Sequence, residues 1–265
     1  MKILTTTFVL FALTLLAPIG NAALISGWGL ETGASASTLT EGAPGSFSTT
    51  TPSGNASPRA LFPGIAFSDV GTSVRLSGFA SFANALGNIQ FRFGLYDTNG
   101  VNTGTLGSGV WSGATSAGWK GYYGTPGNSG GADNVTGLNG GAWFSGGGGN
   151  YIVGSAGATS TAAANVEYEF GLTLTRLSAT SVKIDYTFVG GTQNRSGSFI
   201  DQVGVTNGAS TSLTTLNAVG FLTNPNTGAG QFRDVRVDLL IPEPTSGMII
   251  FGMTLLWANV RRRVC

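Results

Sequence analysis

Glu167-Tyr168-Glu169 is the stretch of this 265-residue chain whose residue types and spacing come nearest to doing chemistry. On an extended strand, positions two apart project from one face with about 7 Å between them. Carboxylate pairs at such separations can hydrolyse glycosidic bonds, one as acid and the other as base or nucleophile. The competing expectation is a solvated outer strand face near Lys183. Other routes are closed by composition. The chain has no histidine and a single cysteine, Cys265. Ser-His-Asp and Cys-His nucleophiles are therefore excluded, as are zinc sites built on imidazole or thiolate, and no disulfide can form within the chain.

Two further groups of residues bear on binding rather than catalysis. Asp97 and Asn99 could offer oxygen ligands to calcium, but no other acidic residue stands nearby, and Asp97-Thr98-Asn99-Gly100 reads as a turn. No metal or cofactor is expected. Residues 104–157 are dense in glycine, culminating in Gly146-Gly147-Gly148-Gly149, and are interleaved with Trp111, Trp119, Tyr122, Tyr123, Trp143, Phe144 and Tyr151. Exposed aromatic faces stack on sugar rings, so Trp111, Trp119, Tyr122 and Trp143 are candidates for a carbohydrate platform; the alternative is that these rings pack in the core or in loops. The glycine run is no phosphate cradle, since no Lys-Ser/Thr pair follows it.

The elements that must position these residues are strands. Val74, Leu76, Gly78, Ala80 and Phe82 alternate with Arg75, Ser77, Phe79 and Ser81; Ile89, Phe91, Phe93 and Leu95 alternate with Gln90, Arg92, Gly94 and Tyr96. A period of two aims one set at a core. Asn99-Gly100 supplies the positive-φ pair that tight turns favour. Val166, Tyr168, Phe170, Leu172 and Leu174 form one further apolar set, and Val182, Ile184, Tyr186 and Phe188 another. Both can face one core only in a hairpin of even pairing sum, which places Leu174 opposite Ile184 and Thr175 opposite Lys183, with an odd loop such as Ser178 to Thr180. Strands are also expected at Leu216 to Leu222 and Val235 to Leu240, and a short first strand around Leu24, Ile25, Trp28 and Leu30. Residues 31–60, with Pro44, Pro52 and Pro58, read as a long surface loop holding at most one short strand. No helical period intervenes, and many alternating strands imply two packed antiparallel sheets.

Both chain ends carry a different pattern. Lys2, an apolar run from Ile3 to Ala17 and the small residues Gly20-Asn21-Ala22 resemble a signal peptide cleaved between Ala22 and Ala23. At the other end, Pro242-Glu243-Pro244 interrupts the backbone, Thr245 to Val260 is nearly free of charge, and Arg261-Arg262-Arg263 closes the run. The prolines lack amide protons and push their predecessors toward extended conformations, so the domain is expected to stop before them. A helix over the sixteen residues from Thr245 to Val260 is about 24 Å long, a marginal membrane span whose arginines stay on the cytoplasmic side.

These three parts in this order resemble the PEP-CTERM sorting signal of Gram-negative bacteria. The resemblance covers residues 242–263 and implies signal peptidase and an exosortase-type membrane protease as partners, a transient stay at the inner membrane, removal of the tail, and passage of the body to the cell surface or exterior, where polysaccharide is a possible partner. A second resemblance is narrower. Concanavalin-like glycosidases look similar in carrying acidic residues at alternate positions of one strand. That family has three such positions, whereas here Asn165 and Gly171 flank the pair.

The expected organisation is a signal peptide over 1–22, one exported domain over 23–241 and a sorting tail over 242–265. The fold class expected is all-β, a two-sheet antiparallel sandwich of jelly-roll or concanavalin-like type, flanked by an N-terminal signal helix and a C-terminal hydrophobic helix. Residues 23–241 carry nine basic and eleven acidic residues, which gives no reason to expect nucleic acid as a partner. The functional expectation is an exported, non-catalytic cell-surface or extracellular-matrix protein. The alternatives are a carbohydrate-binding module using the 111–151 aromatics and a glycosidase using Glu167 and Glu169.

Overall fold

The computed structural model describes residues 22–31, 37–50, 56–85, 91–101, 105–107, 110–112, 118–126, 133–139, 150–156, 162–202, 213–223 and 228–240. All belong to one unit bounded by Asn21 and Pro242. The expected signal and tail helices lie outside the described residues, and no helix occurs among those described.

The strands, in chain order, are β1 (Ala22–Leu24), β2 (Gly29–Glu31), β3 (Thr38–Glu41), β4 (Phe47–Thr50), β5 (Pro58–Ala66), β6 (Ser73–Phe82), β7 (Arg92–Asp97), β8 (Thr105–Gly107), β9 (Val110–Ser112), β10 (Lys120–Thr125), β11 (Asp133–Asn139), β12 (Asn150–Ala156), β13 (Glu167–Ser178), β14 (Ser181–Gly190), β15 (Gln193–Gln202), β16 (Thr215–Leu222) and β17 (Gly230–Leu240). They form the two-sheet sandwich that the alternating patterns demand. One sheet runs β15-β14-β13-β6-β17-β4-β3, with β1 also against β17; the other runs β12-β11-β10-β7-β16-β5-β2-β9-β8. Among the described strands, all pairings are antiparallel except β2 with β9.

The inner faces are built as the period of two requires. Val74, Leu76, Ala80 and Phe82 of β6, Phe93 and Leu95 of β7 with Phe91 just before it, Tyr168, Phe170, Leu172 and Leu174 of β13, and Val182, Ile184, Tyr186 and Phe188 of β14 are all buried. Phe91 sits at the middle of a ring cluster, within 6.2 Å of the centroids of Phe82, Phe93, Phe170, Phe188, Phe221 and Phe232. Burying each such ring contributes about 1.5–3 kcal/mol, and the tilted and edge-on arrangements add to that. Gly78 is the small residue that makes room: a Cβ there would lie 2.8 Å from Phe170 Cζ.

The β13–β14 hairpin has the register set by its two apolar runs, with Leu174 opposite Ile184 and Thr175 opposite Lys183. Its connection differs from the expected three-residue loop. The register shifts between Arg176 and Ser178, so Leu177 is an extra residue and the turn shortens to Ala179-Thr180. A bulge restores parity as well as an odd loop does. The turn after β7 is tight as expected: Val101 N–H donates to Thr98 O at 3.0 Å, with Asn99 at φ 51° and Gly100 at φ 70°.

Residues 31–60 depart from the loop expected of them. β3 and β4 pair through Thr38–Thr50 to Glu41–Phe47, and β5 begins at Pro58. Phe47 is buried with its ring 4.2 Å from that of Trp28 and 4.4 Å from that of Phe232. The last strand starts at Gly230 rather than Val235 and bends at Asp234, whose φ is 53°. At that bend β17 changes partners. Before it, Gly230 to Phe232 pair with β4; after it, Arg236 to Asp238 pair with β1. Between them Val235 N–H donates to Gly45 O, and Val235 O accepts from Ile25 N–H.

Candidate functional site

The outer face of the first sheet, over β13, β6 and β17, brings Glu167 and Glu169 together with residues of the neighbouring strands. Register aligns Glu169 with Phe79 and Phe79 with Arg233 in one row, and Glu167 with Ser81 and Ser81 with Gln231 in the next. Arg233 reaches over β6 to Glu167. Its Nε and Nη2 donate to the two carboxylate oxygens at 2.6 Å each, and Nη1 donates to Asp234. The guanidinium lies 4.0 Å from the centroid of the Phe79 ring. Arg75 Nη2 approaches Glu169 at 3.5 Å, Lys183 meets Asp185 at 3.0 Å and Arg236 meets Asp238 at 3.4 Å. The face is thus a polar lattice in which each of these cations has a carboxylate beside it. At its Ser81–Gln231 edge it opens into a hollow of about 190 Å³ lined by Ser81, Phe82, Ala83, Asn165, Ala229 and Gln231.

The hydrogen bonds from Arg233 hold the Glu167 carboxyl below its usual range, and the same contacts push the Arg233 guanidinium further upward. A glycosidase acid must keep its proton near neutrality, which requires a raised pKa. Glu167 is shifted the other way, and its side chain is 46% exposed, so neither burial nor a like charge corrects it. Glu167 is therefore not poised to serve as the proton donor of a two-carboxylate mechanism.

The aromatic candidates are not gathered on one exposed face. Trp119 and Tyr122 are fully buried, so neither offers a ring to a sugar, which corrects the expectation for these two. Tyr122 points into the core between the sheets and donates its hydroxyl to Asp201 at the end of β15. Trp119 packs with Tyr96, Tyr123, Ala218 and Leu222 in a second apolar cluster and donates Nε1–H to Val101 O at 3.1 Å. Trp111 lies in β9, with its side chain outside what is described; Trp143 lies outside the described residues.

That second cluster holds two cations that the sequence pattern does not single out. Arg59, on β5, is fully buried with its guanidinium 5.1 Å from the Trp119 ring centroid. Burial lowers its pKa to about 9, against a smaller opposing effect of Tyr96. Arg92 lies 5.2 Å over the Tyr123 ring. Arg59 falls in a stretch that reads as loop. Its one visible signal is a charged residue between Pro58 and the apolar Ala60-Leu61-Phe62.

The remaining candidates are structural or lie elsewhere. Asp97 Oδ1 accepts from the Asn99 N–H at 2.7 Å and so closes its own turn. Among the described residues no group of three acidic, histidine or cysteine side chains could hold a metal. Ala22 and Ala23 sit in β1 opposite Asp238 and Val237. Pro242, Glu243, Pro244, Arg261, Arg262 and Arg263 lie outside the described residues. No described helix is long and apolar enough to cross a membrane.

Fold and site together define a two-sheet β-sandwich protein with a polar outer sheet face. The chain is similar to several solved structures. The basic winged bean lectin with Tn-antigen is 10% identical with a TM-score of 0.45, over 84% of this chain and 99% of that one. Lectin II from Ulex europaeus is 13% identical with a TM-score of 0.43, over 84% and 98%. The metal-free carbohydrate recognition domain of Emp46p is 9% identical with a TM-score of 0.41, over 77% and 87%. No family model matches the chain, and no curated protein does.

Proposed function

We propose that residues 23–241 form a non-catalytic carbohydrate-binding protein that works at the cell surface or in extracellular matrix, delivered there by the C-terminal sorting tail. The observation that carries this reading is the face around Arg233, Glu167 and Phe79. The planar Arg233 guanidinium laid over the Phe79 ring, with the carboxylates and hydroxyls beside it held in place by mutual hydrogen bonds, offers a flat polar platform that matches the hydroxyl rim of a sugar. Pairing of the cations leaves no positive field to draw phosphate polymers, which favours a neutral ligand. The depressed Glu167 supports binding without hydrolysis. Delivery rests on Pro242-Glu243-Pro244, the apolar run and Arg261-Arg262-Arg263.

Affinity electrophoresis through gels cast with neutral and with acidic polysaccharides tests the reading. The protein is expected to be retarded by a neutral polymer, without releasing reducing ends, and the Arg233→Ala, Glu167→Ala double variant to regain most of its free mobility. Equal mobility in every gel would remove the proposal.

A further inference from the structure

Both ends of the described chain lie at one end of the first sheet. β17 finishes at Leu240 opposite Ser73, the first residue of β6, and Ser73 is opposite Thr175 of β13. Lys183 of β14 and Ile200 of β15 continue that row. β1 runs antiparallel to β17, so Ala22, opposite Asp238, enters from the same side. The turn at 69–72 and the turn Ala179-Thr180 cap this end; Gly71 N–H donates to Arg176 O at 2.8 Å, which fixes the first turn beside the Leu177 bulge.

Exposed aliphatic side chains concentrate there. Among the described residues eight large apolar side chains are exposed, and four of them, Val70 (68%), Leu177 (39%), Ile200 (49%) and Leu240 (41%), belong to this end. From Leu240 to Ile200 the row crosses four strand spacings, about 19 Å. The neighbouring sequence on both sides is apolar: Thr245 to Val260 begins five residues after Leu240, and Ile3 to Ala17 ends five residues before Ala22. Five residues reach at most about 17 Å. A body whose C-terminal run enters a bilayer is tethered to it by this end.

We propose that this rim is a membrane-contact surface, with Val70, Leu177, Ile200 and Leu240 entering the lipid interface while the tail is in place. The proposal rests on the membrane reading of the tail and adds to it the face on which the body stands. Lys183 is paired with Asp185, so contact depends on apolar burial rather than on anionic lipid, and it is insensitive to salt. The opposite end of the sheet, with the turn Gly191-Thr192, stays in water and leaves the sugar-binding face accessible.

The test uses the full chain with Cys265→Ser and one introduced cysteine at Val70, Leu177, Ile200 or Thr192, each labelled with an environment-sensitive dye and mixed with vesicles of phosphatidylethanolamine and phosphatidylglycerol. Protein floating with the vesicles is expected to show blue-shifted emission from labels at 70, 177 and 200, unchanged in high salt, and none at 192. In the chain labelled at 200, V70D with L177D is expected to abolish the shift. Floating protein whose labels at 70, 177 and 200 emit as in buffer overturns the proposal and leaves the tail's insertion intact. Protein that does not float overturns both. A shift that needs no vesicles and grows with protein concentration overturns it too, and assigns the rim to a second copy instead.

Discussion

Arg233 grips Glu167 across an intervening strand: β6 lies between β17 and β13, and both oxygens of Glu167 accept from the guanidinium at 2.6 Å. The pair ties the three central strands of one sheet together on their outer side, above the ring of Phe79. Glu167 is held below its ordinary value of 4.5, chiefly by the hydrogen bonds from Arg233. A depressed carboxylate contributes stability that is present above the unfolded pKa and lost as pH falls through the folded one. Glu167→Gln is thus expected to lower the melting temperature by about 2 °C or less above pH ~5, with the difference closing as pH falls through the folded pKa. Both side chains are nearly half exposed, so the difference shrinks further in salt. A scan of melting temperature against pH at two salt concentrations checks this, and a difference that grows toward acid contradicts the ion pair.

Phe91 is the residue whose loss the core feels most. Its fully buried ring has six aromatic neighbours drawn from both sheets, and none can collapse into the gap without leaving another. Phe91→Ala is expected to cost about 3–5 kcal/mol, whereas Leu61→Ala at an exposed site stays within about 0.5 kcal/mol. Urea unfolding of the two variants measures the contrast.

Arg176 shows the opposite kind of buried residue, a charge kept for its hydrogen bonds. It is 3% exposed, donates Nε to Phe67 O at 3.0 Å and Nη2 to Leu213 O, and lies 5.0 Å over the Phe67 ring. Burial lowers its pKa, against a smaller opposing effect of Tyr122. Arg176→Met keeps the volume and strands two carbonyls, at an expected cost of about 2 kcal/mol or more. Arg176→Lys is expected to recover little of it, because one ammonium cannot repeat the two-pronged geometry. Equal unfolding midpoints for Lys and Arg would show that charge alone matters there.

The legible parts of this fold are those where one face must be buried and the other must not. Leu174 and Ile184 can be paired from sequence because a slip of one residue would turn a whole apolar set outward. Tyr96 misleads for a related reason: it alternates with Phe93 and Leu95 as an outward residue, but the second sheet carries an apolar layer on its outer side as well, with Trp119 and Tyr123. β15 escapes the pattern because an edge strand needs little apolar content; Gln193–Gln202 offers the core mainly Phe199. The lattice at Glu167 is half visible. Its two carboxylates stand two residues apart, but Arg233 is 66 residues away in the chain, and only pairing of β6 with both β13 and β17 brings them together.

The proposed sorting role of the tail makes the most direct prediction. On that reading Pro242-Glu243-Pro244 would end the domain, the apolar run would enter the bilayer, and Arg261-Arg262-Arg263 would hold the far end in the cytoplasm. Replacing all three arginines by glutamine removes the charge that sets orientation while leaving the run as apolar as before, so the tail is expected to be inserted less faithfully and the protein to stay uncleaved. Replacing Pro242, Glu243 and Pro244 by alanine keeps the orientation and removes the recognised segment, so uncleaved protein is expected to accumulate at the inner membrane. Intact mass and C-terminal peptide mapping of the exported protein, in hosts with and without an exosortase, read these outcomes. Cleavage is expected only with the protease present and only for the unaltered tail. Protein recovered outside the cell with Arg263-Val264-Cys265 still at its end would sink the sorting account.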